Sequence, residues 1–298
     1  MNALAVAGGQ LLAGTDADLY RTPMPADPGR LDWGVSGGEG QIGLSVRGLA
    51  VSPADPRTVW KLDMNGWFGI RLLRSGDAGA TWSTVVLNDL TPLGLAVHPA
   101  DPRQIFIAYK DLVGAGLFVS RDGGTSWKKI DHNTQYSAVA GDPKDAKRLW
   151  LGDQNGLWRS DDGGATRVKV LDGPVTALHL DGRRIVAGGP QIRVSTDGGR
   201  TFTLAYQMGA GRQGLPIWVS QIVESGGTLY AGTSAYSAAG LIQGGRGVLR
   251  STDGGRTWVN ISVGLPDPSV RSLVASPDGQ WLYVGTRSGG VYRLPIRR

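Results

Sequence analysis

Ser75-Gly76-Asp77-Ala78-Gly79-Ala80-Thr81-Trp82 carries a pattern, Ser-x-Asp-x-Gly-x-Thr-aromatic, that the chain repeats. It returns as Ser120, Asp122, Gly124, Ser126 and Trp127. A third copy is Ser160, Asp162, Gly164 and Thr166, with Arg167 in the aromatic slot. The fourth is Ser195, Asp197, Gly199, Thr201 and Phe202, and the fifth Ser251, Asp253, Gly255, Thr257 and Trp258. Successive copies lie roughly 35 to 56 residues apart, the size of one four-stranded propeller blade.

Two further strings keep phase with the first. Upstream of each copy runs a β-branched and aromatic segment that ends in a small or polar residue. Examples are Thr58-Val59-Trp60-Lys61, Ile105-Phe106-Ile107-Ala108, Leu149-Trp150-Leu151-Gly152 and Leu229-Tyr230-Ala231-Gly232. With Leu11–Thr15, Ile185–Gly188 and Leu282–Gly285 there are seven such segments. Before each lies another apolar run, separated from it by turn residues such as Ser52-Pro53-Ala54-Asp55-Pro56-Arg57. Each unit therefore reads strand A, turn, strand B, loop, strand C, Ser-Asp corner, strand D. The expected fold is all-β: a seven-bladed β-propeller of four-stranded antiparallel blades, filling residues 1–298 as one domain, with six blades as the alternative. Blades are placed at about 2–42, 46–90, 93–135, 137–172, 175–207, 217–265 and 270–298. The first has no recognisable corner motif. The last lacks its outer strand, and no spare strand precedes Ala3 to replace it.

The corner chemistry follows from the turn. A tight reversal leaves backbone N–H groups without ladder partners, and a short acceptor such as Asp satisfies amides a residue or two ahead. Gly supplies a positive φ without a Cβ clash. The aromatic returns the chain to the sheet and packs between blades. Asp77, Asp122, Asp162, Asp197 and Asp253 are thus expected to be structural. Arg167 should leave its corner less tightly packed.

The repeated octapeptide resembles the Asp-box, or BNR repeat, and the five copies with their strands cover nearly the whole chain. That repeat occurs in sialidases, in two-propeller xyloglucan hydrolases, in sortilin-type receptors and in photosystem II assembly factors. The short blades and Gly-Leu-Trp-Arg-Ser-Asp-Asp-Gly-Gly at 156–164 look most like the assembly-factor-like and sialidase-like single propellers. The resemblance implies the fold. It does not carry one function, because these groups differ in function.

An enzyme of sialidase type would need an arginine triad, a tyrosine–glutamate pair and an aspartate acid/base. Tyr20-Arg21-Thr22-Pro23 imitates the N-terminal motif of that family. Yet Tyr20-Arg21 aligns with Leu73-Arg74, Trp158-Arg159, Leu249-Arg250 and Tyr292-Arg293, so it reads as a repeated strand C position. Glu39 and Glu224 are the only glutamates, and Tyr206, Tyr230 and Tyr236 have no evident glutamate partner. Catalysis is therefore disfavoured without being settled; if the chain is an enzyme, it is expected to be a glycoside hydrolase using paired aspartates. The Gly-x-Gly-x-x-Gly matches at 38–43 and 209–214 do not follow a strand and open a helix, so they are loops rather than dinucleotide sites. His98, His132 and His179 lack ligand spacing, and there is no cysteine, so neither a metal nor a cofactor is expected.

Composition sets the remaining bounds. The 47 glycines show no three-residue period, which excludes collagen. No run approaches the ~20 apolar residues of a membrane helix, so membrane insertion is not expected. The start Met1-Asn2-Ala3-Leu4 is not a convincing signal peptide, so a cytoplasmic protein is the expectation, a secreted mature form being the alternative. The net charge of +6 is spread over repeated slots rather than gathered in one block, which disfavours nucleic acid.

Propeller sites lie on the face made by the B–C and D–A loops. That rule gives Asp63, Trp67, Tyr109, Lys110, Asp111, His132, Tyr136, Asp153, Arg212, Trp218, Tyr236, Arg246 and Arg287 as binding-face candidates. Trp67 and Trp218 fall outside the repeated aromatic slots, and Ser234–Gly247 is an insertion peculiar to its blade. The bland alternatives are that Trp67 plugs the channel and Trp218 merely begins a strand A. Aromatics among mixed charges suit a protein or peptide partner, with carbohydrate as the alternative. The expected function is a non-catalytic binding or assembly propeller, the alternative a glycan-active enzyme or lectin of sialidase-like fold.

Overall fold

The computed structural model describes residues 1–24, 32–36, 45–64, 70–85, 91–110, 114–131, 133–211, 214–235 and 244–296. Among them the strands form seven antiparallel sheets, each a meander in which sequence neighbours pair, and there is no α-helix. The chain falls into two compact units, Met1–Tyr136 with three sheets and Ser137–Arg298 with four.

In the first unit, blade one is β1 (Ala3–Ala7), β2 (Gln10–Gly14), β3 (Leu19–Pro23) and β4 (Gly34–Val35). Blade two is β5 (Ser45–Val51), β6 (Val59–Met64), β7 (Ile70–Ser75) and β8 (Ser83–Val85). Blade three is β9 (Thr91–Val97), β10 (Ile105–Lys110), β11 (Ala115–Ser120) and β12 (Lys128–Asp131). In the second unit, blade four is β13 (Ala138–Asp142), β14 (Asp145–Gly152), β15 (Gly156–Ser160) and β16 (Val168–Asp172). Blade five is β17 (Ala177–Asp181), β18 (Arg184–Gly188), β19 (Gln191–Ser195) and β20 (Thr203–Gln207), and blade six β21 (Ile217–Ser225), β22 (Thr228–Ala235), β23 (Gly247–Ser251) and β24 (Val259–Asn260). Blade seven has three strands, β25 (Val270–Ala275), β26 (Trp281–Thr286) and β27 (Gly290–Pro295), so the outer edge of β27 has no strand partner among the described residues.

Second strands are buried on both faces, which is why they read as unbroken apolar runs. Ile105 through Tyr109 are all within 1% of full burial. The small residue that ends these strands also has a steric cause. A Cβ on Gly14 would lie 2.5 Å from the Val46 side chain, one on Gly188 2.7 Å from Val219, and one on Gly232 2.7 Å from Val270. In each case the first strand of the following blade occupies the space the glycine leaves. Fourth strands are the opposite: β8, β16, β20 and β24 are mostly exposed and short.

All five Ser-Asp corners share one bonding scheme. In blade four, Ser160 Oγ donates to Asp162 Oδ1 at 2.8 Å and accepts from Gly164 N at 2.8 Å. Asp162 Oδ1 accepts from Thr166 N at 2.8 Å and Oδ2 from Thr166 Oγ1 at 2.6 Å. The aspartate thus reaches an amide four residues ahead rather than one or two, because two consecutive glycines widen the turn. Both carry positive φ, as at Gly163 (74°) and Gly164 (96°), and in blade two Ala78 takes the first of these positions at φ 59°. The aromatic that closes the corner packs into the cluster shared with the preceding blade, as Trp82, Trp127, Phe202 and Trp258 do. Arg167 instead sets its guanidinium over the Trp158 ring at 5.2 Å.

Candidate functional site

Within each blade the A–B turn and the corner lie at one end, and the B–C and D–A connections at the other. The structure divides the candidates at that loop end into three groups. Trp67, Asp111, His132, Arg212 and Tyr236 lie outside the described residues. Asp63, Tyr109, Tyr136 and Asp153 are buried, with at most 3% exposure, and present no surface to a partner. Lys110 and Arg246 are exposed, and Trp218 and Arg287 half-buried.

The buried group braces loops. Tyr109 Oη donates to the Asp131 carbonyl at 3.3 Å, and Tyr136 Oη to Asp131 Oδ2 at 2.6 Å. Asp153 Oδ1 accepts from Asn155 N and Gly156 N, both at 2.7 Å, and Oδ2 from Trp158 Nε1 at 3.0 Å. Asp267 does the same in blade seven's approach, accepting from Ser269 N at 2.9 Å and Ser288 N at 2.8 Å.

Asp63 belongs to a buried charge cluster. Lys61 Nζ lies 3.1 Å and Arg71 Nη2 3.5 Å from Asp63 Oδ2, ionic contacts not aligned as hydrogen bonds. Alternation along β6 puts Lys61 and Asp63 on one face. There Lys61 Nζ also sits 4.7 Å from the Trp82 ring centroid. Burial pushes the Lys61 ammonium below and the Asp63 carboxyl above their ordinary ranges, and their mutual attraction offsets part of that cost. Lys61 was missed in the sequence because it ends an apolar run where a small or polar residue is expected. Its signal was register: the strands equivalent to β6 place Ala13, Ile107, Leu151, Ala187, Ala231 and Val284 there.

In the second unit the loop end has relief. A groove of about 380 Å³ opens between Gly244-Gly245, Pro266-Asp267-Pro268 and Ser288-Gly289, with Tyr292 beneath. Arg246 starts beside it and crosses to blade five's exit, where its Nε donates to the Met208 carbonyl at 2.5 Å. Trp218 is the second residue of β21.

The Tyr20-Arg21 motif lies where repetition placed it. Arg21, Arg74, Arg159, Arg250 and Arg293 pair with Leu12, Trp60, Trp150, Tyr230 and Tyr283, the same register position in five blades. Glu224 is the penultimate residue of β21, at the A–B turn. There it accepts from Arg184 Nη2 at 2.6 Å and contacts His179 Nε2 at 2.7 Å, remote from the loop end of its own blade.

Comparison with solved structures places this geometry. The chain superposes on the GH74 xyloglucanase from Xanthomonas campestris with a TM-score of 0.69 and 17% identity, over 98% of this chain and 51% of that one. The fold is that of the seven-bladed β-propellers. This propeller spans about half the length of that xyloglucanase and 38% of an ancestral GH74 enzyme. It matches YCF48 bound to D1 peptide at TM-score 0.61 and 12% identity, covering 100% of this chain and 93% of that one. U3-55K matches at 0.66 and 15% identity, covering 99% and 95%. No protein-family model matches the chain, and no curated protein matches its sequence.

Proposed function

We propose that this chain is a non-catalytic binding propeller of the Asp-box type that holds a protein or peptide partner at the loop ends of its blades. The observation that carries the proposal is the use of the loop-end carboxylates. Asp131, Asp153 and Asp267 accept from backbone amides, Asp131 also from the buried Tyr136 and Asp153 from the half-buried Trp158, and Asp63 is enclosed by Lys61 and Arg71. Groups held this way stiffen loops rather than approach a glycosidic bond. Of the described loop-end candidates, those open to solvent are Lys110 in the first unit, and Arg246 with the half-buried Trp218 and Arg287 in the second. Such aromatic and arginine positions anchor protein interfaces. Similarity in size adds support. The propellers matched over nearly their whole length include one bound to a peptide, whereas the xyloglucanase is matched over half.

The test is affinity capture from the source cell with the parent chain and with Trp218→Ala and Arg287→Ala. Each substitution should reduce recovery of the same specific partner at least about tenfold, as loss of an interface anchor does. Release of reducing sugar from xyloglucan or from sialosides by the purified chain would instead establish the glycan-active alternative.

A further inference from the structure

We infer that the opposite end of the second unit, the corner end of blades four and five, carries a separate docking groove for an acidic peptide. The groove has a volume of about 510 Å³, within the range of ligand clefts. Lys144, Arg148, Arg159, Arg183 and Arg200 line it, five cations against the two carboxylates of Asp142 and Asp197, and Trp150 is its buried floor.

Its charge arises from how neighbouring carboxylates are used. In blades two and three the turn arginines are neutralised locally: Arg57 lies 3.7 Å from Asp55, and Arg103 3.2 Å from Asp101, each two residues earlier. Blade five has the same spacing in Asp181 and Arg183, yet Asp181 pairs with Arg184 at 2.9 Å. Arg183 is left exposed with no ion pair among the described residues. Asp197 cannot serve Arg200, because its oxygens are held by Ser195, Arg200 N and Thr201. Lys144 is likewise exposed and unpaired among the described residues. Three uncommitted cations therefore surround one cleft. Arg148 and Arg159 stand beside them, committed to Asp161 at 2.6 and 3.1 Å, with Arg148 also 3.6 Å from both Asp142 and Asp145.

The occupant follows from charge. Separate carboxylates on an extended peptide can pair with Lys144, Arg183 and Arg200 in turn. A single-stranded nucleic acid would find no open ring to stack on among the described residues. Trp150 is buried, and Trp158 is covered by Arg167 and Lys169, each 5.2 Å from its ring centroid.

The experiment is fluorescence anisotropy with a short labelled Asp/Glu peptide, titrated with the full chain at two salt concentrations. The combined variant Lys144→Gln, Arg183→Gln, Arg200→Gln should weaken binding at least about tenfold. Thermal unfolding should be unchanged, since these side chains make no bond within the described fold. Arg256→Gln, at the equivalent corner of blade six, should leave affinity intact. Equal loss from Arg256→Gln, undiminished binding by the triple variant, or tighter capture of a single-stranded RNA than of the peptide would each overturn the inference.

Discussion

A corner aspartate holds its turn with hydrogen bonds that need the charged carboxylate. In Asp122, Asp162 and Asp253 the following Ser or Thr hydroxyl, then its amide, then the preceding serine lower the pKa to about 2. At Asp77 burial is the largest single influence and pushes upward, yet the bonds from Thr81, Ser75 and Ala80 together bring it to about 2, and Asp197 is lowered further. Because the folded value is depressed, the stabilisation is full above the ordinary 3.8 and is lost as pH falls through that value towards 2. The urea midpoint should therefore hold down to about pH 5 and drop steeply below about pH 4; a flat profile to pH 2 would show the corners to be dispensable. Ser160→Ala removes a buried hydroxyl that both donates and accepts, and should cost about 1 kcal/mol in urea unfolding. Lys61→Met leaves the buried Asp63 carboxylate to Arg71, 3.5 Å away, and should cost about 3 kcal/mol at neutral pH. That deficit, measured against the parent at each pH, should shrink on acidification, because Asp63 already titrates above its ordinary range. The corners were legible from residue types alone; the ion pair was not, because Lys61 sits in a strand whose apolar period masks a single charge.

Among elements, second and fourth strands divide the work of each blade. The former fill the space between sheets, the latter lie over them. Amide hydrogen exchange should be slowest in β10, β14 and β22 and fastest in β8 and β24; uniform protection across a blade would contradict that division. The corner glycines join the two. A Cβ on Gly199 would lie 2.4 Å from the Trp150 ring, and its φ of 83° is already unfavourable for any other residue. Gly199→Ala should cost about 2 kcal/mol or more, read as a loss of thermal stability. Strand order and the missing outer strand were readable because turn residues punctuate apolar runs. The bond pattern of the corner was misjudged, since a sequence does not reveal that both glycines adopt positive φ.

At the scale of the molecule, every strand pairs with its neighbour in sequence, so stability is a sum of blades and blade-to-blade contacts. Damage should stay local: Gly199→Ala should speed exchange in blades four and five before it does so in Met1–Tyr136. The loop-end surface was legible only as a rule about propellers. It named Arg246 and Trp218, but could not distinguish exposed positions from Asp153 or Tyr136, whose polar groups are turned inward to hold loops. The corner groove was invisible for a related reason: its charge depends on which arginine Asp181 selects. The three-stranded last blade has one more consequence. No described strand covers the outer edge of β27, whose backbone groups are those on which another chain could begin a cross-β stack, yet it ends in Pro295 and carries Arg293, stacked at 4.0 Å on Trp281. A missing N–H and a fixed charge are how natural sheets stay soluble at their margins, so replacing both with valine should turn this face into a seed for fibrils.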